Sequence, residues 1–326
     1  MTRPNAMSIV FRDLEGGPPC PQGSVACIGA FDGLHRGHRA LVAHTVARAR
    51  DRGLPAVALT FEPLPREWFG GDAKPPRLLL PRDKVEGLRA FGIDHIGLLR
   101  FNAHMAATPA EDFVTGLLQR RLQAREVWIG PDFRFGHARG GDLALLQRMG
   151  AAAGFSAHAI APVLVDGRRV SSSDIRTQLQ QGDFAAAQRL LGHPYRISGR
   201  VVRGRQLGRT LEFPTANQRF GRYTPPLQGI FATRVHGVGD APWPAVSSFG
   251  TRPSVGGVEP LLETHLFDFD GDLYGRRIGV ELVARLRDEL HFADLDALIV
   301  QMHRDADQAR AILASPPSPL SQRVSA

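Results

Sequence analysis

Val25-Ala26-Cys27-Ile28-Gly29, running into Ala30-Phe31-Asp32-Gly33-Leu34-His35-Arg36-Gly37-His38-Arg39, decides the fold of the first half of this chain. The first five residues are an apolar run of the kind that forms a buried strand. Ala40-Leu41-Val42 then opens an Ala/Arg-rich helical pattern. Two histidines, three positions apart, therefore stand where a strand hands over to a helix. A helix start presents unbonded N–H groups and the positive end of the dipole, and phosphate binds there readily. Gly33 and Gly37 allow close approach of backbone to a ligand. A neutral imidazole can donate to a phosphate oxygen without carrying a fixed charge. The stretch predicts a site for nucleotide phosphates, with Phe31, Asp32, Gly33, His35, Gly37 and His38 as its residues. Zinc ligation by His-x-x-His needs further ligands, and Cys27 lies on the apolar run. The phosphate-loop pattern ending in Gly-Lys-Ser/Thr is missing.

Apolar runs at 24–30, 55–61, 94–100, 125–130 and 155–165 alternate with helical patterns at 37–52, 81–91, 108–123 and 141–152. That alternation predicts a parallel, doubly wound α/β sheet, with ligands at the carboxyl ends of its strands. Thr108-Pro109-Ala110-Glu111 predicts a helix start capped by Thr108, with Glu111 as capping-box partner. Helical patterns at 174–191 close this half, and Gly192-His193-Pro194-Tyr195 punctuates the chain. Beyond it, short strands at 196–203, 229–236, 245–249, 263–269 and 278–286 predict a compact antiparallel barrel, with a helix at about 293–314 packed outside. The expected division is 1–190, 191–314 and a disordered tail, 315–326.

A chain of 326 residues with 43% hydrophobic content suits about two domains. No run of 18 apolar residues occurs, so no membrane span is expected, and Met1 to Gly17 lacks the apolar core of a secretory signal. Two cysteines, Cys20 and Cys27, are too few for a disulfide framework and suit a reducing cytoplasm. The net charge of +8 is almost wholly arginine, and lysine occurs only at Lys74 and Lys84. Lysine-dependent phosphate loops and most Schiff-base chemistry are thereby nearly excluded. The positive balance suits anionic small substrates; no zinc finger, RNA-binding signature or long basic run points to specific nucleic-acid binding. Oligomeric state, including a homo-oligomer, stays open.

Three further stretches stand at strand ends: Thr60-Phe61-Glu62-Pro63, Gly130-Pro131-Asp132-Phe133-Arg134-Phe135-Gly136 and Ser171-Ser172-Ser173-Asp174-Ile175-Arg176. Ser172, Ser173 and Arg176 can clamp phosphate at a helix start, or simply cap it. In the second half, Gly199 to Thr210 is a basic, glycine-spaced loop including Gly204 and Gly208, suited to wrapping phosphate or to tight turns. Pro214-Thr215-Ala216-Asn217 adds a hydroxyl and an amide oxygen, both able to ligate a hard cation. Glu263 is a carboxylate on a strand, followed by the turn Asp270-Gly271-Asp272-Leu273-Tyr274-Gly275.

Taken in order, the four N-terminal motifs resemble the adenylyltransferase module of bacterial bifunctional riboflavin kinase/FAD synthetases. Ser173 stands where that family commonly has Thr. The glycine-rich loop, Pro214-Thr215-Ala216-Asn217, Gly250-Thr251-Arg252-Pro253-Ser254, Glu263-Thr264-His265 and Asp272-Leu273-Tyr274-Gly275 resemble the riboflavin kinase module of the same family. Together the similarities span about residues 24 to 312. The resemblance implies a nucleotidyltransferase domain, with a Rossmann-like parallel sheet, followed by a six-stranded kinase barrel and a C-terminal helix. It implies phosphorylation of riboflavin to FMN by ATP, then transfer of AMP from ATP to FMN, giving FAD and pyrophosphate. It implies that His35 and His38 contact ATP phosphates, that Ser172, Ser173 and Arg176 clamp the outer ones, and that Asp132 positions nucleotide or flavin. In the barrel it implies Glu263 as general base, with Thr215 and Asn217 holding Mg²⁺ and Gly204, Gly208 and Arg252 near the nucleotide. Glu212 and Ser248 depart from the family's usual Gly and Asn. A nucleotidyltransferase with another acceptor, or a flavin-sensing binding protein, are the competing readings; the barrel motifs argue against the first and the retained histidines and Glu263 against the second.

Overall fold

The structure, a computed structural model, describes residues 9–12, 16–204, 213–254 and 257–314. They divide into two compact units: residues up to 75 with 81–171, and residues 76–80 with those from 172 onward.

The first unit is built on six parallel strands: β1 (Ile9–Phe11), β2 (Ser24–Ile28), β3 (Ala56–Glu62), β4 (His95–Arg100), β5 (Ala124–Ile129) and β6 (Ser156–Ala159). Their order in the sheet is β1-β4-β3-β2-β5-β6. β2 is buried along its whole length, as expected of a strand covered on both faces. The order runs one way from β2 through β3 to β4 and the other way through β5 to β6. The topological switch therefore lies between β2 and β5, where a doubly wound sheet opens its crevice at the carboxyl ends. Those ends are Gly29 and Gly130. The first crossover helix, α1 (Arg36–Asp51), buries Leu41, Val42, Thr45 and Ala49, a stripe at helical spacing. Its outer turns are tied to β5 by Glu126, whose buried carboxylate accepts from Arg48 (2.7 and 3.1 Å), Arg52 (2.5 Å) and the Trp128 indole (3.0 Å). Burial alone would raise that carboxyl group, but these donors outweigh it and hold it at about 2.

After α2 (Pro65–Gly70), α3 (Pro81–Ala90) and α4 (Ala103–Ala107), the helical pattern at 108–123 begins later than its sequence suggests. Thr108 does not cap it. Its N–H bonds back to Met105 and its hydroxyl to the His104 carbonyl (2.9 Å), so it closes α4, and Pro109 stands at the N-cap of α5 (Ala110–Asp112). That helix continues in the wider π form over Phe113–Arg121. α6 (Leu143–Ala153) precedes β6. The run at 155–165 breaks after β6 into a hairpin, β7 (Leu164–Val165) and β8 (Arg168–Arg169), whose turn residues Asp166 and Gly167 both have positive φ.

The second unit begins with two helices, α7 (Ser172–Gln181) and α8 (Phe184–Leu191), where the sequence shows helical patterns. Asp183 interrupts them by capping α8, accepting from the Ala186 N–H at 2.8 Å. Six antiparallel strands follow: β9 (Arg196–Val202), β10 (Ala216–Arg219), β11 (Gly229–His236), β12 (Trp243–Ser254), β13 (Gly257–Leu266) and β14 (Arg277–Arg287). They close into the barrel that the sequence predicts, with β10 the strand it left unmarked, and their order is β10-β13-β12-β11-β14-β9. Closure removes the exposed strand edges. Inside, a ladder of hydroxyls, Thr233–Ser247–Thr264, crosses three strands at 2.8 and 2.9 Å and satisfies its own polar atoms. Outside lies α9 (Leu295–Leu313), packing Ala306 and Ala309 against Phe213, Ala232, Val246 and Phe267. Asp305 of α9 is 4% exposed and takes three hydrogen bonds from the Arg287 guanidinium (2.6–3.0 Å).

Candidate functional site

In the first unit the strand-to-helix turn is held in an unusual backbone shape. Phe31 and Leu34 have φ of 50° and 45°, where non-glycine residues are rare and locally strained. Phe31 and Asp32 are buried at 0% and 1% exposure. His35 is the N-cap of α1, a position usually taken by Ser, Thr, Asp or Asn. Its Nδ1 accepts from the His38 N–H at 3.3 Å. An acceptor Nδ1 leaves the proton on Nε2, so the ring presents an N–H donor away from the cap. The two imidazoles stack, with centroids 3.6 Å apart and planes 16° from parallel. Gly37 permits this: a Cβ there would lie 3.2–3.3 Å from the His35 ring. Phe31 presents its ring to His38 in an edge-on contact at 5.3 Å. Burial, the neighbouring His35 and the ammonium of Lys84 all hold His38 well below the usual imidazole range, hence neutral at pH 7. The His38 Nδ1 is enclosed and makes no hydrogen bond with the protein. A buried ring nitrogen without a partner is suited to a ligand or water.

Asp132 follows β5 at the other side of the switch point; it is exposed and paired with Arg169. Phe133 and Phe135 stack (5.7 Å), and Phe61 and Phe135 belong to the core. Beyond the carboxyl ends of β3 and β4, Trp68 and Phe69 of α2 stand 43% and 69% exposed beside Phe101 (6.4 and 5.7 Å). This aromatic edge was not singled out in the sequence, although two adjacent aromatics in a polar segment are a usable signal. Ser172, Ser173 and Arg176 open α7 in the second compact unit, where Arg176 is 8% exposed and its Nε donates to the Pro76 carbonyl at 2.6 Å.

The barrel brings its own residues together by strand register. Asn217 of β10 pairs with Glu263 of β13, and Glu263 pairs with Ser248 of β12, so the three form one row across the sheet. The Asn217 amide donates to the Thr215 carbonyl (3.2 Å) and hydroxyl (3.4 Å), which leaves Oδ1 as its acceptor end. Gly204 packs on that amide so closely that a Cβ would lie 2.8 Å from it. Thr215 and Asn217 line a cavity of about 300 Å³ together with Asp270, Asp272 and Tyr274 of the following turn. Glu263 sits beside this cavity rather than in its lining. The turn is fixed by Asp272, which accepts from the Tyr274 N–H at 2.8 Å. Arg252 lies on β12 opposite Glu259, with its side chain outside the described set. Gly208, Glu212 and the tail at 315–326 also lie outside the described residues.

A doubly wound sheet with an imidazole-lined helix start, in one chain with a closed six-stranded barrel, defines a bipartite nucleotide-handling transferase. Comparison with known proteins is in accord: residues 17–174 match the FAD synthetase family and residues 191–313 the riboflavin kinase family. The chain is 44% identical over 302 residues to the bifunctional riboflavin kinase/FMN adenylyltransferase of Escherichia coli (strain K12), covering 92% of this chain and 96% of that protein. It is 42% identical to the protein of the same description from Pseudomonas fluorescens, covering 94% and 98%. A crystal structure described as a macrolide-efflux protein from Streptococcus pneumoniae superposes with a TM-score of 0.75 at 27% identity, over 93% of this chain and 99% of that one. No helix among the described residues is long and apolar enough to cross a membrane. The chain belongs to the bifunctional riboflavin kinase/FMN adenylyltransferase family.

Proposed function

We propose that this chain is a riboflavin kinase and FMN adenylyltransferase that makes FMN and then FAD, at two separate ATP sites. The observation that carries this reading is that the two family matches fall end to end on one chain, 17–174 and 191–313. The functional division follows at 190/191, with the kinase domain running to 314.

In adenylyl transfer, an oxygen of the FMN phosphate attacks the α-phosphorus of ATP and pyrophosphate leaves. Charge grows on the non-bridging oxygens and on the leaving group, so positioned donors lower the barrier more than any covalent step. His35 and His38 are the donors assigned to it; the Nε2–H form of His35 and the unpartnered Nδ1 of His38 support that role. Phe31, Asp32, Gly33 and Gly37 shape the turn, Ser172, Ser173 and Arg176 bind outer phosphates, and Asp132 positions nucleotide or flavin. Trp68 and Phe69 offer an aromatic face for the flavin ring.

In the kinase reaction, Glu263 takes the proton of the ribityl 5′-hydroxyl as that oxygen attacks the γ-phosphorus and ADP departs. Gly204, Gly208 and Arg252 serve the nucleotide. The Thr215 hydroxyl and Asn217 Oδ1 are hard oxygen donors at one cavity, a donor set that fits Mg²⁺ completed by phosphate and water. When bound, that ion offsets phosphate charge. Both cysteines are buried and free, in keeping with work in a reducing cytoplasm.

One incubation with riboflavin, ATP and Mg²⁺, resolved by chromatography, tests the reading. FMN appearing first and FAD after it is expected. A chain that accumulates neither is not this enzyme.

A further inference from the structure

Lys84 is one of two lysines in a chain that otherwise uses arginine, and it is 0% exposed. A buried ammonium costs several kcal/mol of hydration unless its protons find acceptors. Here they do. Nζ donates to the Thr60 hydroxyl and the Phe61 carbonyl, both at 3.3 Å, and stands 3.7 Å from the Glu62 carboxylate. Thr60 in turn donates to the Ala30 carbonyl at 3.1 Å. The ammonium is thus joined, through one hydroxyl, to the first residue of the histidine turn. The same helix holds the other end. Leu34 lies against α3 at Gly87, one turn beyond Lys84, where a Cβ would be 2.3 Å from its Cδ1. Between these two fastenings lie Phe31, Asp32 and Gly33, with the positive φ values of Phe31, Gly33 and Leu34. A strained turn keeps one shape only when its surroundings over-determine it.

We propose that Lys84 is a positioning residue of the adenylyl-transfer site: with Thr60 it clamps the turn before α1, so that the stacked histidines meet phosphate in a single arrangement. This rests on the adenylyltransferase reading above. Lys84 touches no reacting atom in this account. It also places an ammonium close enough to act on the neutral His38 ring. The groups facing His38 are His35, stacked on it, the edge of Phe31, and Lys84, whose own carboxylate neighbour is Glu62 on β3.

The test replaces Lys84 with methionine in the full chain. FMN formation stays within twofold and reports an intact kinase. The kcat for FAD falls by roughly ten- to a hundredfold, while KM for ATP and FMN moves less than about threefold. In ¹H–¹³C spectra the His38 Cε1–H titrates at a higher pH than in the unaltered chain, read on protein that keeps its native, dispersed spectrum and full FMN formation, because unfolding would also raise it by ending its burial. Unchanged FAD kcat overturns the proposal, and so does a His38 titration that does not move. If Lys84→Met fails to fold, Thr60→Val decides, because it removes the link to Ala30 at nearly constant volume: a fall in FAD kcat supports the clamp and an unchanged one overturns it. If the unaltered chain makes no FAD, the functional reading fails, and the His38 titration still decides whether Lys84 governs the pair.

Discussion

The residues proposed for the two reactions are brought together in the two units by opposite kinds of precision. In the parallel-sheet unit the two histidines proposed for adenylyl transfer sit on one short segment, residues 29–38, where a strand ends and α1 begins. Its geometry is local: His35 caps the helix that carries His38, and Gly37 leaves room for the ring between them. In the barrel the corresponding groups come from distant parts of the chain, Asn217, Ser248 and Glu263, and meet only because three strands keep register. A local site depends on backbone conformation, and a register site depends on the whole sheet. Backbone changes near the first should act on one turn; changes that shift strand register should reach the second from anywhere in the barrel.

The sharpest way to break this contrast is at Glu263. Glu263→Gln keeps the shape of the row and removes the base, so FMN formation should fall by ~10²–10⁴-fold while conversion of supplied FMN to FAD is unchanged. Parallel loss of both activities would mean that the units do not work separately. The mirror experiment is His38→Ala, expected to lower kcat for FAD by ~10²–10³-fold and to spare FMN.

A smaller effect is expected at Glu126, which tests stability rather than chemistry. Its carboxyl group sits at about 2 in the folded chain against an ordinary 4.5. A depressed value means stability that is present above the ordinary value and lost as pH falls from about 5 towards 2. Glu126→Gln should cost about 3 kcal/mol at neutral pH, and the variant's stability should vary less than the parent's across that acidic window. The midpoint of urea inactivation of FAD formation measures both, with FMN formation as the reference that does not shift.

Gly37→Ala sharpens the contrast at its finest scale. The added methyl group would press on the His35 ring from 3.2 Å, moving it by tenths of an ångström. FAD formation should fall about fivefold, with FMN again unaffected. No change would show that the ring is free to yield.

Much of this was legible in the chain because it is carried by local signals. The β2–α1 segment announces itself by apolar run, glycine and histidine, and the barrel by short strands between turns. β10 escaped because Ala216–Arg219 is only four residues long, with polar Asn217 and Gln218 facing opposite ways. Thr108 looked like a cap, and nothing local reveals that its N–H is already spent on the preceding helix. The pairing of Asn217 with Glu263 lies 46 residues apart in sequence, and only register brings it about. Lys84 stood out by rarity, yet its burial under the histidine turn depends on α3 packing against β3, a tertiary fact.

That burial also sets how the chain meets reagents. Of its two side-chain amines, Lys84 is sealed from solvent while Lys74 is exposed. Amine-acylating dyes should therefore modify one lysine, Lys74, besides the chain's α-amino group, and once that α-amine has been blocked at a lower pH they give a site-selective handle for surface attachment or fluorescence without engineered cysteines.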